Sequence, residues 1–355
     1  MTAVSNYKPS SRAELITRRT YNRPLDKEGK VFETWEQTVD RVINHQKWLW
    51  ERAAGVKATY LPNDPINAEL EELRQLMLDR KVLTSGRTLW LGGTDVAKKR
   101  EASQFNCSFT YVETVYDVVD CLWLLLQGCG VGFRPIVGTL NGFAKPIKNI
   151  EVIRSTRTEK GGSEHNKETW DEQTKTWTIT IGDSAEAWAK SIGKLLAGKY
   201  PADTLVLDFS ELRPAGERLS GYGWISSGDD AIARAYTSIA NLLNRRAGSL
   251  LTRIDILDLV NWLGTVLSSR RSAEIALFAY GEDEWQEFTV AKKDWWVANI
   301  QRAQSNNSLL FNQKPTKAEL QHIFDLMVES GGSEPGFING QTATKRAPWF
   351  KGCNP

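Results

Sequence analysis

The chain has 355 residues, 45 Lys and Arg against 43 Asp and Glu, and a formal net charge of +2. That length suits one large domain or two, and the charge balance carries no electrostatic footprint for nucleic acid or a membrane surface. No run of eighteen apolar residues is present to span a bilayer. The polar, basic start MTAVSNYKPSSRAELITRRTYNRP lacks the apolar stretch of a signal peptide, so the cytoplasm is the expected compartment. The four cysteines, Cys107, Cys121, Cys129 and Cys353, form no CxxC pair, and His45, His165 and His322 stand at no ligand spacing. Neither a disulfide framework nor a metal site is expected.

In chain order, residues 1 to about 30 read as loosely structured. Thr34 to Ala54 reads as a helix with Val39, Val42, Ile43 and Leu49 near one face. A second helix is expected from an Asp64 cap and Pro65, with Leu70, Leu73, Leu76 and Met77 along one side. The first hundred residues are therefore expected to be mostly helical. SQFNCSFTY alternates strictly, with Phe105, Cys107, Phe109 and Tyr111 on one face, and predicts a strand. A helix follows from Thr114 to Leu126 and stops at Gly128-Cys129-Gly130; residues 155–175 are a polar loop or hairpin.

Asp183 to Leu196 is amphipathic, with Asp183 as a candidate cap and Glu186 placed for a capping box. DTLVLDF at 203–209 and AEIALFAY at 273–280 read as strands around a helix from Ile254 to Leu267. Thr316 and Glu319 form a capping box for a helix that buries Leu320, Ile323, Phe324, Met327 and Val328 and ends at Gly331. Strands alternating with helices after residue 100 predict an α/β domain with a largely parallel sheet or barrel. Periodicity does not separate the two.

Four segments hold glycines and polar residues that a core does not need: Phe105-Asn106-Cys107, Gly128 to Gly132, Ser268 to Glu274, and Gly332 to Asn339 together with the terminal Gly352-Cys353-Asn354-Pro355. Singly, each has a plain structural reading: a buried small thiol, a helix-ending turn, a cationic helix end, a tight turn. Together, with KVLTSGRTLWLGGT at 81–94, DSAEAW at 183–188, LVLDFSELRPAGERLSGYG at 205–223, RRSAEIAL at 270–277, SNNS at 305–308 and EPGFIN at 334–339, their order resembles the adenosylcobalamin-dependent (class II) ribonucleotide reductases.

The resemblance implies an N-terminal mostly helical region, 1–100, then part of a ten-stranded α/β barrel, 101–355, with the effector-specificity region and without the C-terminal half-barrel. It implies reduction of ribonucleoside di- or triphosphates at the 2′ position by a thiyl radical, with adenosylcobalamin as cofactor, a deoxynucleotide effector and a thiol reductant such as thioredoxin. Cys107 matches the first cysteine of the reducing pair, with Asn106, Ser108, Gly130 and Gly132 as substrate-binding neighbours. Asn354 matches the asparagine of the family's Asn-Pro-Cys motif, whose amide can bond substrate hydroxyls. Asp183 resembles the effector site, and Arg270 and Arg271 resemble the loop that relays effector identity.

The chain departs from the pattern at Pro355, one residue before the expected radical cysteine; Cys353 is no substitute for it, and Cys129 receives no role. Protein splicing by an intein, or a split gene, is the expected reason. The missing reductase half, or an intein-linked fragment carrying it, is then the expected partner, and the chain alone is expected to be inactive. Two other readings stay open: part of a class I large subunit, and a non-catalytic deoxynucleotide-binding module.

Overall fold

The computed structural model describes residues 8–26, 29–53, 65–217, 219, 225–267 and 273–353. The expectations for Asp64, Arg270, Arg271 and Asn354 lie outside these. The chain divides into two compact units, Met1–Asn106 and Cys107–Pro355.

The first unit is helical. The opening stretch is more ordered than its polarity suggested: α1 (Ser11–Thr20) is capped by the Ser10 hydroxyl, which accepts from the Ala13 N–H, and carries Arg18 and Arg19 at its negative end. These end signals outweigh the missing apolar stripe. Then come α2 (Trp35–Ala53), α3 (Pro65–Leu78), α4 (Gly86–Leu91) and α5 (Asp95–Lys99). Val39 and Val42 of α2 meet Met77 of α3 and Leu89 of α4 in a small core, and the Trp35 indole donates to the Met77 carbonyl at 3.1 Å. The Arg41 guanidinium, held by Glu33 at 2.8 Å, donates to the Leu89 carbonyl at 2.9 Å and so ties α2 to α4.

The second unit begins with β1 (Cys107–Val112), which leads through α6 (Val115–Leu126) into β2 (Gly130–Pro135). Next are β3 (Asn149–Ile153), β4 (Lys167–Asp171), β5 (Thr176–Thr180), α7 (Ala185–Ala197), β6 (Thr204–Asp208), α8 (Asp230–Arg245) and α9 (Arg253–Gly264). Then follow β7 (Glu274–Ala279), α10 (Trp285–Thr289), α11 (Trp295–Ala298), β8 (Ser305–Phe311), α12 (Lys317–Ser330), β9 (Gly336–Asn339) and α13 (Gly340–Arg346). Two sheets result. One is five-stranded in the order β1-β2-β7-β8-β9, and every neighbouring pair in it is parallel. The other has the order β3-β6-β5-β4, with the β4–β5 hairpin antiparallel.

Parallel neighbours cannot be joined by a tight hairpin, so each link must cross over. Helix α6 does this between β1 and β2, and α12 does it between β8 and β9. Thr114 and Asp117 form a complete capping box that starts α6, and Gly128, at φ 73°, turns the chain out of it. Helix α7 lies close to α6 because Gly193 carries no side chain: a Cβ there would stand 2.9 Å from Val119 Cγ2.

Side chains alternate across a strand, so the five-stranded sheet has two unlike faces. Val112, Val131, Phe133, Ala276, Phe278 and Leu309 share one face, all inaccessible to solvent, in the main core with α6 and α9. Cys107, Phe109 and Tyr111 occupy the opposite face, with Gly130, Gly132 and Arg134 beside them in register.

Two side-chain expectations change. Ser184, not Asp183, caps α7, its hydroxyl accepting from the Ala187 N–H; Asp183 is drawn away by an arginine. On α12 only Ile323 is fully buried, while Phe324 and Val328 are 47% and 81% exposed. This helix meets the edge strand β9 through Phe324 and Phe337, and among the described residues no further layer covers its second flank. The Thr316–Glu319 box and the Gly331 stop are as expected. Replacing Thr316 by alanine should cost about 1 kcal/mol of stability, read as a lowered urea midpoint with an unchanged slope; an unaltered midpoint would show that the box is idle.

Candidate active site

Residues of β1 and β2 place the candidate thiol. Cys107 opens β1 opposite Gly130, and Phe109 stands opposite Gly132. Neither glycine puts a side chain on this face, so a ligand can approach the backbone beside the half-buried thiol. None of the four cysteines is joined in a disulfide. Ser108, one residue on, necessarily turns to the other face, where its hydroxyl donates to the Gly130 carbonyl at 3.3 Å. The sheet therefore brings Cys107, Gly130 and Gly132 together and sends Ser108 away. Asn106, in the first unit, is exposed, and its side-chain oxygen accepts from Arg87 Nε at 2.8 Å. Cys129 is buried, its thiol donating to the Gly130 carbonyl at 3.4 Å.

The start of α7 contains a second cluster. Asp183 is almost wholly buried, and both of its carboxylate oxygens accept from Arg213 Nε, at 2.9 and 3.0 Å. The same guanidinium donates to the Asp183 carbonyl at 3.2 Å. Nearby, Arg157 pairs with Glu211 at 2.8 Å, and the Glu211 carboxylate also accepts the Ser163 N–H. Arg213 was not singled out in the sequence; the only cue was its place in LRPAGER, and thirty residues separate it from Asp183.

A third feature, equally unmarked in the sequence, is Glu274 at the start of β7, 2% exposed. Its side chain lies on the helix-packed face, pressed toward Gly264 at the end of α9, where a Cβ would come within 2.4 Å of its Oε1. Among the described residues neither oxygen of Glu274 and neither amide atom of Asn261 has a hydrogen-bond partner. Burial pushes the Glu274 carboxyl well above the ordinary carboxylate range, and the Cys121 thiol is raised by burial first and by Glu274 second. A neutral carboxyl is the form such a site tolerates. The described residues contain no group of three or more His, Cys, Asp or Glu placed to hold a metal ion, and none of their helices is long and apolar enough to cross a membrane.

Residues 3–94, nearly the whole helical unit, match the family described as ribonucleotide reductase alpha domain. More narrowly, the chain resembles adenosylcobalamin-dependent (class II) ribonucleotide reductases. It is 29% identical over 91% of its length to the adenosylcobalamin-dependent ribonucleoside-triphosphate reductase of Lactobacillus acidophilus, and 26% identical over 91% to that of Lactobacillus leichmannii. In each case it covers 47% of the relative, so it spans about half the length of these curated proteins. Among solved structures, a B12-dependent (class II) ribonucleotide reductase superposes with a TM-score of 0.73 and 24% identity over 92% of this chain and 49% of the other. That likeness bears on the fold, which is the expected α/β arrangement.

With burial raising its carboxyl, Glu274 should hold its proton in the folded state to a higher pH than in the unfolded chain. Stability should therefore fall as pH rises above about 5, by up to about 1.4 kcal/mol per pH unit, until the buried group ionises too. Glu274→Gln has no proton to lose, so its unfolding free energy measured from pH 5 to 8 should stay flatter than that of the unaltered chain. Parallel curves would show that Glu274 is ionised in the fold.

Proposed function

We propose that this chain forms the thiol-bearing half of an adenosylcobalamin-dependent ribonucleotide reductase, with Cys107 as one of the two cysteines that reduce the ribose 2′ position. The observation that carries the reading is the placement of Cys107 on the face of the parallel sheet that the main core does not cover, beside Gly130 and Gly132.

The overall change is a ribonucleotide plus two thiols giving a deoxyribonucleotide, water and a disulfide. Cys107 contributes a proton toward the departing 2′-hydroxyl, then an electron, and ends as one sulfur of that disulfide. A small thiol or dithiol protein returns it to the reduced form by exchange. A strand suits this task because its backbone fixes the sulfur closely. Gly130 and Gly132 leave room for the sugar, and Asn354 bonds its hydroxyls through the side-chain amide. The structure gives no such support to Ser108 as a substrate ligand.

Adenosylcobalamin, when bound, supplies the radical that starts the reaction. None of the described residues is assigned to hold it. The relatives are about twice as long, and the five-stranded sheet has open edges at β1 and β9. A second half-barrel, whether from the same polypeptide or from a separate one joined by splicing or assembly, closes the barrel in this reading. It contributes the radical cysteine and the other reducing cysteine. The helical unit and the sheet-bearing unit, divided at Asn106–Cys107, support a reading as an N-terminal helical region and a partial barrel. The Asp183–Arg213 cluster, in which Arg213 Nη1 also stands 4.0 Å from Glu217 Oε2, is the proposed deoxynucleotide effector site, with Arg270 and Arg271 relaying its identity.

The test supplies the chain with the C-terminal half of one of the relatives above and measures deoxynucleotide formation. Turnover that requires adenosylcobalamin, and that falls at least a thousandfold in Cys107→Ser, is expected. Turnover that proceeds with an iron protein and without cobalamin would move the chain to the class I large subunits. Full activity in Cys107→Ser would remove the assignment. Arg213→Ala should weaken deoxynucleotide binding at least tenfold by equilibrium dialysis; unchanged binding would place the effector elsewhere.

A further inference from the structure

The thiol-bearing face of β1 is crossed by a later part of the chain. Tyr111 Oη donates to the carbonyl of Lys351 at 3.4 Å. Gly352 lies against the Phe109 ring so closely that a Cβ on it would stand 2.0, 2.1 and 2.6 Å from Cζ, Cε2 and Cε1. The glycine is required for space, since no atom fits at those separations unless the ring is displaced. The ring is braced. Phe109 meets Tyr111 edge to face with centroids 5.8 Å apart. The Arg134 guanidinium lies 5.8 Å from the Tyr111 ring and is itself held by Glu282 at 2.8 Å.

We propose that Phe109 and Tyr111 form an aromatic clamp that holds residues 351–353 on β1, and that Gly352, Phe109 and Tyr111 are positioning residues for that stretch beside the thiol's face. Phe109 lies two residues from Cys107 on the same face, about 7 Å along the strand. Seating Gly352 on Phe109 therefore holds residues 351–353 on the same face of β1 as the thiol. A side chain at 352 would lift the segment away from the sheet. The catalytic meaning of the clamp rests on the function proposed above; the clamp itself does not.

Cys353 provides a reporter inside the clamped segment. Its thiol is half-buried, and burial raises it above the ordinary thiol range. Alkylation by iodoacetamide, followed by mass spectrometry on the full chain, reads its release. Gly352→Ala and Phe109→Leu should each raise the Cys353 rate at least tenfold, while the fully buried Cys121 and Cys129 stay unreactive. A Cys353 rate unchanged within twofold in both variants would overturn the clamp. If Cys121 and Cys129 also react, the variant has unfolded, and Tyr111→Phe decides, since it removes only a hydroxyl: a rise of two- to threefold at Cys353 supports the clamp, and no rise overturns it.

With the second half-barrel supplied, Gly352→Ala should lower kcat at least tenfold with KM unchanged. Full kcat despite a released Cys353 would overturn the positioning role and leave the Cys107 assignment standing. An unaltered protein with no reductase activity but a protected Cys353 would remove the assignment and leave the clamp.

Discussion

The register of five parallel strands is the constraint on which the second unit depends. In a parallel ladder, residues in register present their side chains to the same side, so one choice of face for β1 propagates to β2, β7, β8 and β9. Once Phe133, Phe278 and Leu309 are committed to the helices, Cys107, Gly130 and Gly132 are committed to the other side. A slip of one residue on β1 would bury the thiol and expose Val112. The apolar face thus fixes the site without touching it.

The same packing leaves costs in place. Glu274 occupies a position on the helix-facing side of β7 where an apolar residue would pack without penalty, and Asn261 lies buried on α9 with its amide unsatisfied among the described residues. Unpaired buried groups of this kind cost free energy that a core must offset elsewhere. Asp183 shows the opposite solution: its charge is buried but met by Arg213 with three contacts. An ion pair built to that standard orients both partners, and the guanidinium is then presented in a fixed direction at the start of α7.

The sheet's edges bound the second unit. β9 is a short strand with Phe337 partly exposed, stacked on Phe311 and near Phe324 of α12. An open edge of this kind carries unpaired backbone groups and apolar side chains that further strands can cover. This accords with the proposed second half-barrel, and it explains why α12 keeps an apolar flank that its periodicity alone would have assigned to the core.

The sequence by itself determined the local structure. Alternation in SQFNCSFTY put Cys107, Phe109 and Tyr111 on one face, and the Thr316–Glu319 pair and Gly331 marked both ends of α12, because strand faces, caps and left-handed stops depend on a few neighbouring residues. The ordered motifs also carried the family resemblance. Tertiary structure alone decided which face of each element met a partner, because that depends on contacts between residues far apart in the chain. It paired Asp183 with Arg213 and passed the cap to Ser184, stranded Glu274 in the core, and seated Gly352 on Phe109.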